Sequence, residues 1–502
     1  MNQSIFKNIL TARVYDVAIR SPLEKAERIS NQLENSVYLK REDLQPVFSF
    51  KLRGAYNKIA HLSLEERARG IICASAGNHA QGVALSAQKL GIKATIVMPQ
   101  TTPAIKVLAV KSYGSDVILK GDNYSESAEY CNYLKEQTGT VYIHPFDDEL
   151  VIAGQGTIGY EILQQFSAPD YIFAPVGGGG LLAGIATYVK ELYPNVKIIG
   201  VEPSDSNAMQ KSVREGKRIE LEKVGIFADG VAVKQVGDLT YQLCQKYVDD
   251  WVEVETDEIC SAIKMIYEDT RSIVEPAGAL SVAGIRKYLE QHQVVGKSFV
   301  AINSGANMNF NRLRFVAERT LTGEQKEAIL AITIPERVGA LKILCEKVLG
   351  DRSITEFNYR LASRDYAHIF IGVSVKDRNE KQALETNLEQ NGFEYTDLTA
   401  NELAKVHVRY MVGGKAREAK NEIVCRFTFP ERPGALTNFL TAVSEKWNIS
   451  LFHYRAQGGN FGRVMMGFEI LHQERDQFFK TLDLLNYPYL EETNNKAYQL
   501  FL

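Results

Sequence analysis

Lys51 lies in a setting that can turn an amine into a nucleophile. It follows two phenylalanines in the stretch "PVFSFKLRGAYNKI" (residues 46–59), where a helix is predicted to begin. Apolar surroundings disfavour the charged form of an amine, so its pKa falls and it can attack a carbonyl to form a Schiff base. On this interpretation Phe48 and Phe50 form a dry wall beside the amine. The alternative is an ordinary surface lysine, and the other motifs decide between the two.

Two loops of the chain are suited to bind anions. "SAGNHAQG" (residues 75–82) follows a short apolar run and opens a predicted helix, where free backbone N–H groups can bind a carboxylate. "PVGGGGLLAG" (residues 175–184) joins a predicted buried strand to a helix, and its glycines let successive N–H groups form a phosphate nest. An ordinary capped turn and a flexible linker are the respective alternatives. The glycine run lacks both GxGxxG spacing and a GK[ST] ending, which disfavours nucleotide binding.

A serine at the end of another predicted strand completes the set. Ser304 lies in "INSGANMN" (residues 302–309), where its hydroxyl can face the nitrogen of an aromatic ring. The set is a lysine for an aldehyde, a glycine nest for a phosphate, a loop for a carboxylate and a serine for a ring nitrogen. Together these features indicate pyridoxal phosphate as the cofactor.

Up to about residue 320 the chain alternates β-rich runs with helical stretches. The predicted strands are "GIICAS", "KATIVMP", "SDVILKG", "YIFAPV", "VKIIGVEP" and "SFVAINS". Several are apolar on both faces, as a buried parallel sheet requires. The alternation predicts a layered α/β fold with mostly parallel sheets, whose ligands bind at the carboxyl ends of the strands.

Beyond residue 325 the chain repeats itself. "IPERVGALKILCEKVLGDRSITEFNYR" (residues 334–360) aligns without a gap with "FPERPGALTNFLTAVSEKWNISLFHYR" (residues 429–455), at an offset of 430 − 335 = 95 residues. Each copy reads as a βαββα unit closed by a last strand, as in an α+β ferredoxin-like fold.

Composition narrows the classes of function. The 502 residues are 45% hydrophobic and carry a formal net charge of −3, which favours neither nucleic acid nor an anionic membrane as a partner. The cysteines are scattered, so no disulfide framework and no metal site are predicted.

The longest uncharged run, residues 171–189, contains a proline and four consecutive glycines that would break a membrane helix. Because the N-terminus has no apolar signal segment, a cytoplasmic protein is predicted.

The motifs as a set resemble a known family. "SFKLRGAYN", "SAGNHAQG", "VGGGGL", "EPAGA" and "SGANMNF", with the two "PERxGAL…YR" units, are similar to those of the fold-type II pyridoxal-phosphate enzymes. Among these the chain resembles the biosynthetic threonine deaminase (threonine ammonia-lyase) family over nearly its whole length. The resemblance implies a fold-type II catalytic domain at 1–325, ACT-like regulatory repeats at 326–400 and 422–502, and a linker at 401–421.

The resemblance also implies roles for individual residues. Lys51 would bind the cofactor covalently and, once displaced by the substrate amine, would remove the α-proton. Asn78 would hydrogen-bond the ring hydroxyl of the cofactor, and Ser304 would face its pyridine nitrogen. The cofactor phosphate would be bound by Gly177, Gly178, Gly179, Gly180 and Leu181. The substrate carboxylate would be bound by Ser75, Ala76 and Gly77.

The implied reaction converts L-threonine to 2-oxobutanoate and ammonia, the first step of isoleucine biosynthesis, with L-serine as a secondary substrate. Isoleucine would inhibit and valine would activate, with Tyr359 and Tyr454 near the effector sites, in a homotetramer. Ala76 stands where the serine racemases carry a second serine, which argues against racemisation. The alternatives are an amino-acid sensor with an inactive cofactor domain and repeats that serve only for dimerisation. The role of Glu275 in "EPAGA" stays open.

Overall fold

The fold is given by a computed structural model that describes residues 2–335, 344–349, 352, 354–359, 366–410, 421–430, 439, 443, 446–455 and 461–502. They divide into two units, Met1–Val316 and Ala317–Leu502. Within the described ranges, no helix is long and apolar enough to cross a bilayer.

Two mainly parallel sheets organise the first unit. Its strands are β1 (Leu23–Lys25), β2 (Ser36–Arg41), β3 (Ile71–Ala74), β4 (Ala94–Met98), β5 (Asp116–Leu119), β6 (Val141–Tyr142), β7 (Tyr171–Pro175), β8 (Lys197–Pro203), β9 (Asp250–Val254) and β10 (Ser298–Asn303). The larger sheet has the order β1-β2-β10-β7-β8-β9, with β1 antiparallel to β2 and the other pairs parallel. The smaller sheet, β5-β4-β3-β6, is parallel. Every predicted strand run forms a strand, which confirms the layered α/β fold.

Helices cover these sheets and bury them on both faces. Ile172 and Ala174 of β7 lie in one apolar core, and Phe173 between them lies in another together with Phe299 of β10. This two-sided burial explains the near-continuous apolar runs in the sequence. The helices are α1 (Asn2–Leu10), α2 (Glu27–Gln32), α3 (Lys51–Ala60), α4 (Leu64–Arg69), α5 (Asn78–Leu90), α6 (Ala104–Ser112), α7 (Tyr124–Thr138), α8 (Glu149–Gln165), α9 (Gly180–Leu192), α10 (Ala208–Glu215), α11 (Asp238–Tyr247), α12 (Thr256–Thr270), α13 (Pro276–His292) and α14 (Arg312–Gly323).

Two antiparallel sheets of matched order form the second unit. Its strands are β11 (Glu327–Pro335), β12 (Ile354–Tyr359), β13 (Tyr366–Ser374), β14 (Glu394–Asp397), β15 (Glu422–Pro430), β16 (Asn448–Arg455), β17 (Phe461–Glu469) and β18 (Tyr489–Glu491). The sheet orders are β12-β13-β11-β14 and β16-β17-β15-β18. A register shift falls between Ile354 and Glu356 in one sheet and between Ile449 and Leu451 in the other. The structure therefore repeats at the predicted offset, since 449 − 354 = 95.

Short helices complete each repeat. Helices α15 (Arg378–Gln390) and α17 (Arg475–Leu485) precede the last strand of each sheet, and α16 (Glu402–Val406) and α18 (Lys496–Phe501) follow it. The "PERxGAL" segments lie outside the described residues, except that Pro335 and Pro430 end β11 and β15. The predicted linker, 401–421, begins with α16, which the sequence did not reveal. Its residues 411–420 lie outside the described part of the chain.

One apolar core joins the two repeats of the second unit. Its side chains come from both sheets and from α18, and include Ile329, Phe370, Val424, Met465 and Phe501. Asn401 and Asn495 cap α16 and α18, and Nδ2 of Asn401 donates to Oδ1 of Asn495 at 3.2 Å. The N-cap residues of the two matching helices thus contact each other, and the shared core connects the two repeats.

Candidate active site

Lys51 is the first residue of α3, where the sequence predicted a helix to begin. Its Nζ donates to the carbonyl of Pro145 at 3.1 Å and lies 5.3 Å from the centre of the Phe50 ring. Phe50 is buried, whereas the Phe48 side chain is 56% exposed and its backbone has a φ of 54°. The predicted wall of two phenylalanines is therefore wrong for Phe48, because its side chain lies in solvent.

The buried surroundings of the Lys51 amine lower its pKa, so part of the amine is uncharged near neutral pH. Burial lowers the pKa of Lys51 to about 8, and the Glu275 carboxylate opposes this effect. Burial also lowers the pKa of the neighbouring His79 to about 3 and lowers that of His144, so both imidazoles are neutral at neutral pH. The Lys51 amine therefore has a nucleophilic fraction that an ordinary surface lysine lacks.

A buried ion-pair network holds the helix that begins at Lys51. Nε of Arg53 lies 2.8 Å from Oε2 of Glu42, and its Nη1 lies 2.6 Å from Oε1 of Glu161. Nζ of Lys40 lies 2.6 Å from Oε2 of Glu161. Because two positive and two negative side chains compensate one another without exposed surface, each buried charge is paired, and α3 is held against β2 and α8.

Ser304 follows β10 directly and is bonded through its main chain to the residue before α3. The N–H of Phe50 donates to the carbonyl of Ser304 at 3.2 Å, and the N–H of Ala306 donates to that of Phe48 at 2.8 Å. The Ser304 hydroxyl is buried and donates to the carbonyl of Ala277 at 3.2 Å. The structure thus places a buried hydroxyl beside the start of α3.

The glycine loop, residues 177–180, connects β7 to α9 and packs closely on protein. A Cβ on Gly178 would lie 2.2 Å from the Phe146 ring, and a Cβ on Gly177 would lie 2.8 Å from the backbone of Val231. Gly179 has a φ of 93°, which glycine adopts readily. Among the residues that the structure describes, five consecutive N–H groups donate to no acceptor: those of Gly177, Gly178, Gly179, Gly180 and Leu181. Free N–H groups at a helix N-terminus are suited to a phosphate.

The asparagine loop, residues 75–78, connects β3 to α5. Ser75, Ala76 and Gly77 are half-buried, and Oγ of Ser75 accepts from the N–H of Gly77 at 3.3 Å. A Cβ on Gly77 would meet no described atom within 4 Å, so the loop borders open space. Asn78 opens α5, which directs the first N–H groups of that helix towards the same end of β3.

Glu275 belongs to the site, although the sequence left its role open. Nδ2 of Asn78 donates to Oε1 of Glu275 at 2.5 Å, and Oδ1 of Asn78 accepts from Nδ2 of Asn307 at 2.6 Å. Burial raises the pKa of the Glu275 carboxyl group to about 7, and repulsion from Asp229 adds to this effect. The motif "EPAGA" marked Glu275 in the sequence, but only the fold shows that its hydrogen-bond partner is Asn78.

Apart from Lys51, the predicted cofactor and substrate residues lie at the carboxyl ends of β3, β7 and β10, where layered α/β folds bind ligands. Hydrogen bonds connect the asparagine loop to the segment after β10, and that segment to the start of α3. The glycine loop packs on Phe146, which follows the Pro145 carbonyl that accepts from Lys51. Together these residues offer a partly uncharged amine, free N–H groups at a glycine loop and a buried hydroxyl, so they fit pyridoxal phosphate. Over the described ranges, no cluster of three or more His, Cys, Asp or Glu side chains could hold a metal ion.

The two tyrosines predicted near effector sites lie on equivalent strands of the second unit. Tyr359 ends β12 and pairs with Ile369, and Tyr454 is the penultimate residue of β16 and pairs with Val464. Their side chains lie outside what the structure describes. The backbone thus gives equivalent positions, and their proximity to an effector stays a prediction.

Two family models match the chain. The model described as pyridoxal-phosphate dependent enzyme matches residues 14–305, and the model described as C-terminal regulatory domain of threonine dehydratase matches residues 318–408 and 413–502.

Curated relatives match along nearly the whole chain. The chain is 53% identical over 500 residues to a biosynthetic L-threonine dehydratase of Burkholderia multivorans, covering 99% of this chain and 98% of that protein. It is 48% identical over 495 residues to a biosynthetic L-threonine dehydratase of Escherichia coli, covering 98% of this chain and 96% of that protein.

Solved structures match the catalytic part. The processed form of threonine deaminase isoform 2 from Solanum lycopersicum has a TM-score of 0.62 and 51% identity, covering 63% of this chain and 93% of that chain. Maize serine racemase has a TM-score of 0.58 and 33% identity, covering 63% of this chain and 97% of that chain.

Proposed function

The chain belongs to the pyridoxal-phosphate-dependent enzymes and, within them, to the biosynthetic L-threonine dehydratases with a C-terminal regulatory domain, and from this membership we propose that it converts L-threonine to 2-oxobutanoate and ammonia. The observation that carries the proposal is the buried amine of Lys51, with its pKa lowered to about 8. The α-hydrogen and the β-hydroxyl of threonine leave as water. The 2-aminocrotonate that results takes up water again and releases ammonia.

Lys51 has two tasks in this reaction. Its Nζ would hold the cofactor, and the same amine, when free, would accept the α-proton. When bound, pyridoxal phosphate supplies an electron sink for the α-carbon. A pKa of about 8 suits a general base that works near neutral pH, and the Pro145 carbonyl at 3.1 Å orients the amine.

The surrounding residues orient the cofactor. The free N–H groups of the glycine loop and of Leu181 would bind its phosphate, and Asn78 would donate to its ring oxygen. Ser304 would lie near its pyridine nitrogen. Because a hydroxyl does not hold such a nitrogen protonated as a carboxylate would, Ser304 would favour prompt loss of the β-hydroxyl over transamination.

The asparagine loop selects the substrate. Ser75, Ala76 and Gly77 bind its carboxylate at the N-terminus of α5. L-Serine is a secondary substrate, since the loss of one methyl group changes binding only modestly. Ala76 has no group that could return a proton to the opposite face of the α-carbon, so racemisation is disfavoured.

The second unit regulates the reaction. Isoleucine inhibits and valine activates by binding two global states unequally, in a cytoplasmic homotetramer. The matched positions of Tyr359 and Tyr454 on β12 and β16 support equivalent effector sites in the two repeats. The apolar core that the repeats share gives a path by which one repeat can influence the other.

The proposal is tested by measuring 2-oxobutanoate formation from L-threonine by the purified protein, across a threonine titration with and without isoleucine. We expect turnover with a sigmoidal dependence on threonine that isoleucine suppresses. Turnover indifferent to isoleucine would refute the assignment of isoleucine as an inhibitor, and no turnover by protein that carries the cofactor would refute the substrate assignment.

A further inference from the structure

Three motif segments meet around Glu275. Nδ2 of Asn78 donates to Oε1 of Glu275 at 2.5 Å, and Oδ1 of Asn78 accepts from Asn307 at 2.6 Å. Nδ2 of Asn307 also donates to the carbonyl of Val47 at 2.9 Å. The N–H of Glu275 donates to the carbonyl of Gly305 at 3.1 Å. The asparagine loop, the "EPAGA" segment and the "SGANMN" segment therefore form one hydrogen-bond network.

The carboxylate of Glu275 does not cap the helix that follows it. It is the N-cap residue of α13, but its side chain accepts no bond from the first N–H groups of that helix. The carboxylate reaches Asn78 instead, and Gly305 leaves room for it, since a Cβ on Gly305 would lie 2.5 Å from Oε1. Burying a carboxylate against a neutral amide costs stability, which indicates a task beyond folding.

The charges that face Glu275 come from four elements of the first unit. The Asp229 carboxylate repels the Glu275 carboxylate, whereas Lys106 and Arg312 attract it. Lys106 and Arg312 each lie 3.1 Å from Asp229. Lys51 is the fourth charged group. Burial and then Asp229 raise the pKa of Glu275 to about 7, against the opposing effects of Lys106, the bond from Asn78 and Arg312.

We propose that Glu275 is a positioning residue for the cofactor, which fixes the Asn78 amide so that its remaining N–H is held for the cofactor's ring oxygen. The proposal rests on the proposed cofactor contact of Asn78. Asn307 occupies the amide oxygen and Glu275 occupies one N–H, and the other N–H has no acceptor among the described residues. A flipped amide would set oxygen against carboxylate and N–H against N–H, so only one orientation is stable.

The same bond sets the strength of the donor. A carboxylate that accepts one N–H of an amide raises the electron density on that amide, so the second N–H becomes a weaker donor than it would be beside a neutral group. When Glu275 takes up a proton, this effect weakens and the second N–H becomes a stronger donor. The bound cofactor should therefore report the protonation of Glu275 in its visible absorption.

Two variants separate the hydrogen bond from the charge. Glu275→Ala removes both, whereas Glu275→Gln keeps an acceptor of similar size without a charge. We expect Glu275→Ala to weaken pyridoxal phosphate binding to the apoenzyme about tenfold, and Glu275→Gln to stay within about threefold of the unaltered protein. In both variants the visible spectrum of the bound cofactor should lose the component that titrates near pH 7.

Asp170→Asn is the matched control. Asp170 directly precedes β7, at the amino end of that strand, and its Oδ2 accepts from the N–H and the hydroxyl of Ser298 at 2.9 and 2.7 Å. This variant should lower the Tm and leave cofactor affinity and the spectral titration unchanged.

Two results overturn different claims. If both Glu275 variants keep the unaltered affinity and the unaltered spectral titration, with only a lower Tm, Glu275 is structural and the inference fails. If the unaltered protein itself binds no pyridoxal phosphate, the proposed function fails.

Discussion

The backbone N–H of Phe50 donates to the carbonyl of Ser304 at 3.2 Å, which connects the residue before the site lysine to the site serine through main chain. An antiparallel bridge between Ser49 and Gly305 lies beside it. Main-chain bonds do not depend on side-chain rotamers. The backbone therefore fixes the positions from which the Lys51 and Ser304 side chains extend, as a site that must orient a rigid cofactor requires.

The rate at which the apoenzyme captures pyridoxal phosphate should rise with pH and level off above about pH 8. The neutral amine is the nucleophile, and burial lowers the pKa of Lys51 to about 8, against about 10.4 for an ordinary lysine. Stopped-flow absorbance across pH 6 to 10 measures this rate. Capture by Nα-acetyl-lysine under the same conditions is the control for titration of the cofactor itself. A rate that keeps rising to about pH 10 would show that Lys51 is not perturbed.

Gly178→Ala should weaken cofactor binding. Its Cβ would lie 2.2 Å from the Phe146 ring, and overpacking of this kind costs about 1–3 kcal/mol, or roughly fivefold to a hundredfold in affinity. Fluorescence titration of the apoenzyme measures the change. Gly216→Ala is the control, since Gly216 has a φ of 70° and open space around it. It should destabilise the fold through backbone strain and leave cofactor affinity unchanged; equal losses from both variants would contradict the account.

Lys40→Met should destabilise the first unit strongly. It leaves Glu161 with one buried cationic partner, and breaking a buried pair costs about 3–5 kcal/mol. Lys25→Met, which removes an exposed pair with Glu27, should leave the thermal midpoint where it is. Scanning calorimetry compares the two variants, and a small shift for Lys40→Met would show that the cluster contributes little.

The same cluster gives a pH dependence. Burial raises the pKa of Glu161, but Arg53 and Lys40 outweigh it and hold that pKa below 4.5 in the folded protein. The stability that Glu161 contributes is therefore present above about pH 4.5 and is lost as the pH falls through its folded pKa. Thermal midpoints measured from pH 7 to 3 should fall more steeply for the unaltered protein than for Glu161→Gln.

Tyr359→Ala and Tyr454→Ala should alter the response to effectors and spare the chemistry. The two residues hold equivalent positions on β12 and β16, and kcat for threonine without effectors should stay within about twofold of the unaltered protein. The isoleucine concentration for half inhibition, or the valine concentration for half activation, should rise about tenfold. Effector responses identical to those of the unaltered protein would remove these tyrosines from the effector sites.

Local patterns in the sequence were enough to predict the strands and loops of the site. The predicted strands β3, β7 and β10 are short apolar runs, and the residues that follow each of them are chemically distinctive. The repeat was also predictable, because a 95-residue offset needs only comparison of the chain with itself. Layered α/β topology then places loops from the carboxyl ends of strands together.

Partners distant in sequence were not predictable in this way. Lys40 lies 121 residues from Glu161, and its charge hides β2 from a search for apolar runs. Asn78 lies 197 residues from Glu275, so neither motif alone indicates their bond. Phe48 is exposed and has a positive φ, a backbone conformation that phenylalanine rarely adopts and that the sequence does not indicate.

Borohydride reduction of the coloured protein followed by peptide mass spectrometry tests most directly whether Lys51 binds the cofactor. We predict a pyridoxyl group on the peptide that contains Lys51. Lys51→Ala should carry no label and lose at least about a thousandfold in kcat. Lys58→Ala, from the same helix and paired with Asp148 at 2.7 Å, should keep both label and activity. A label on another lysine, or unaltered threonine turnover by Lys51→Ala, would contradict the account.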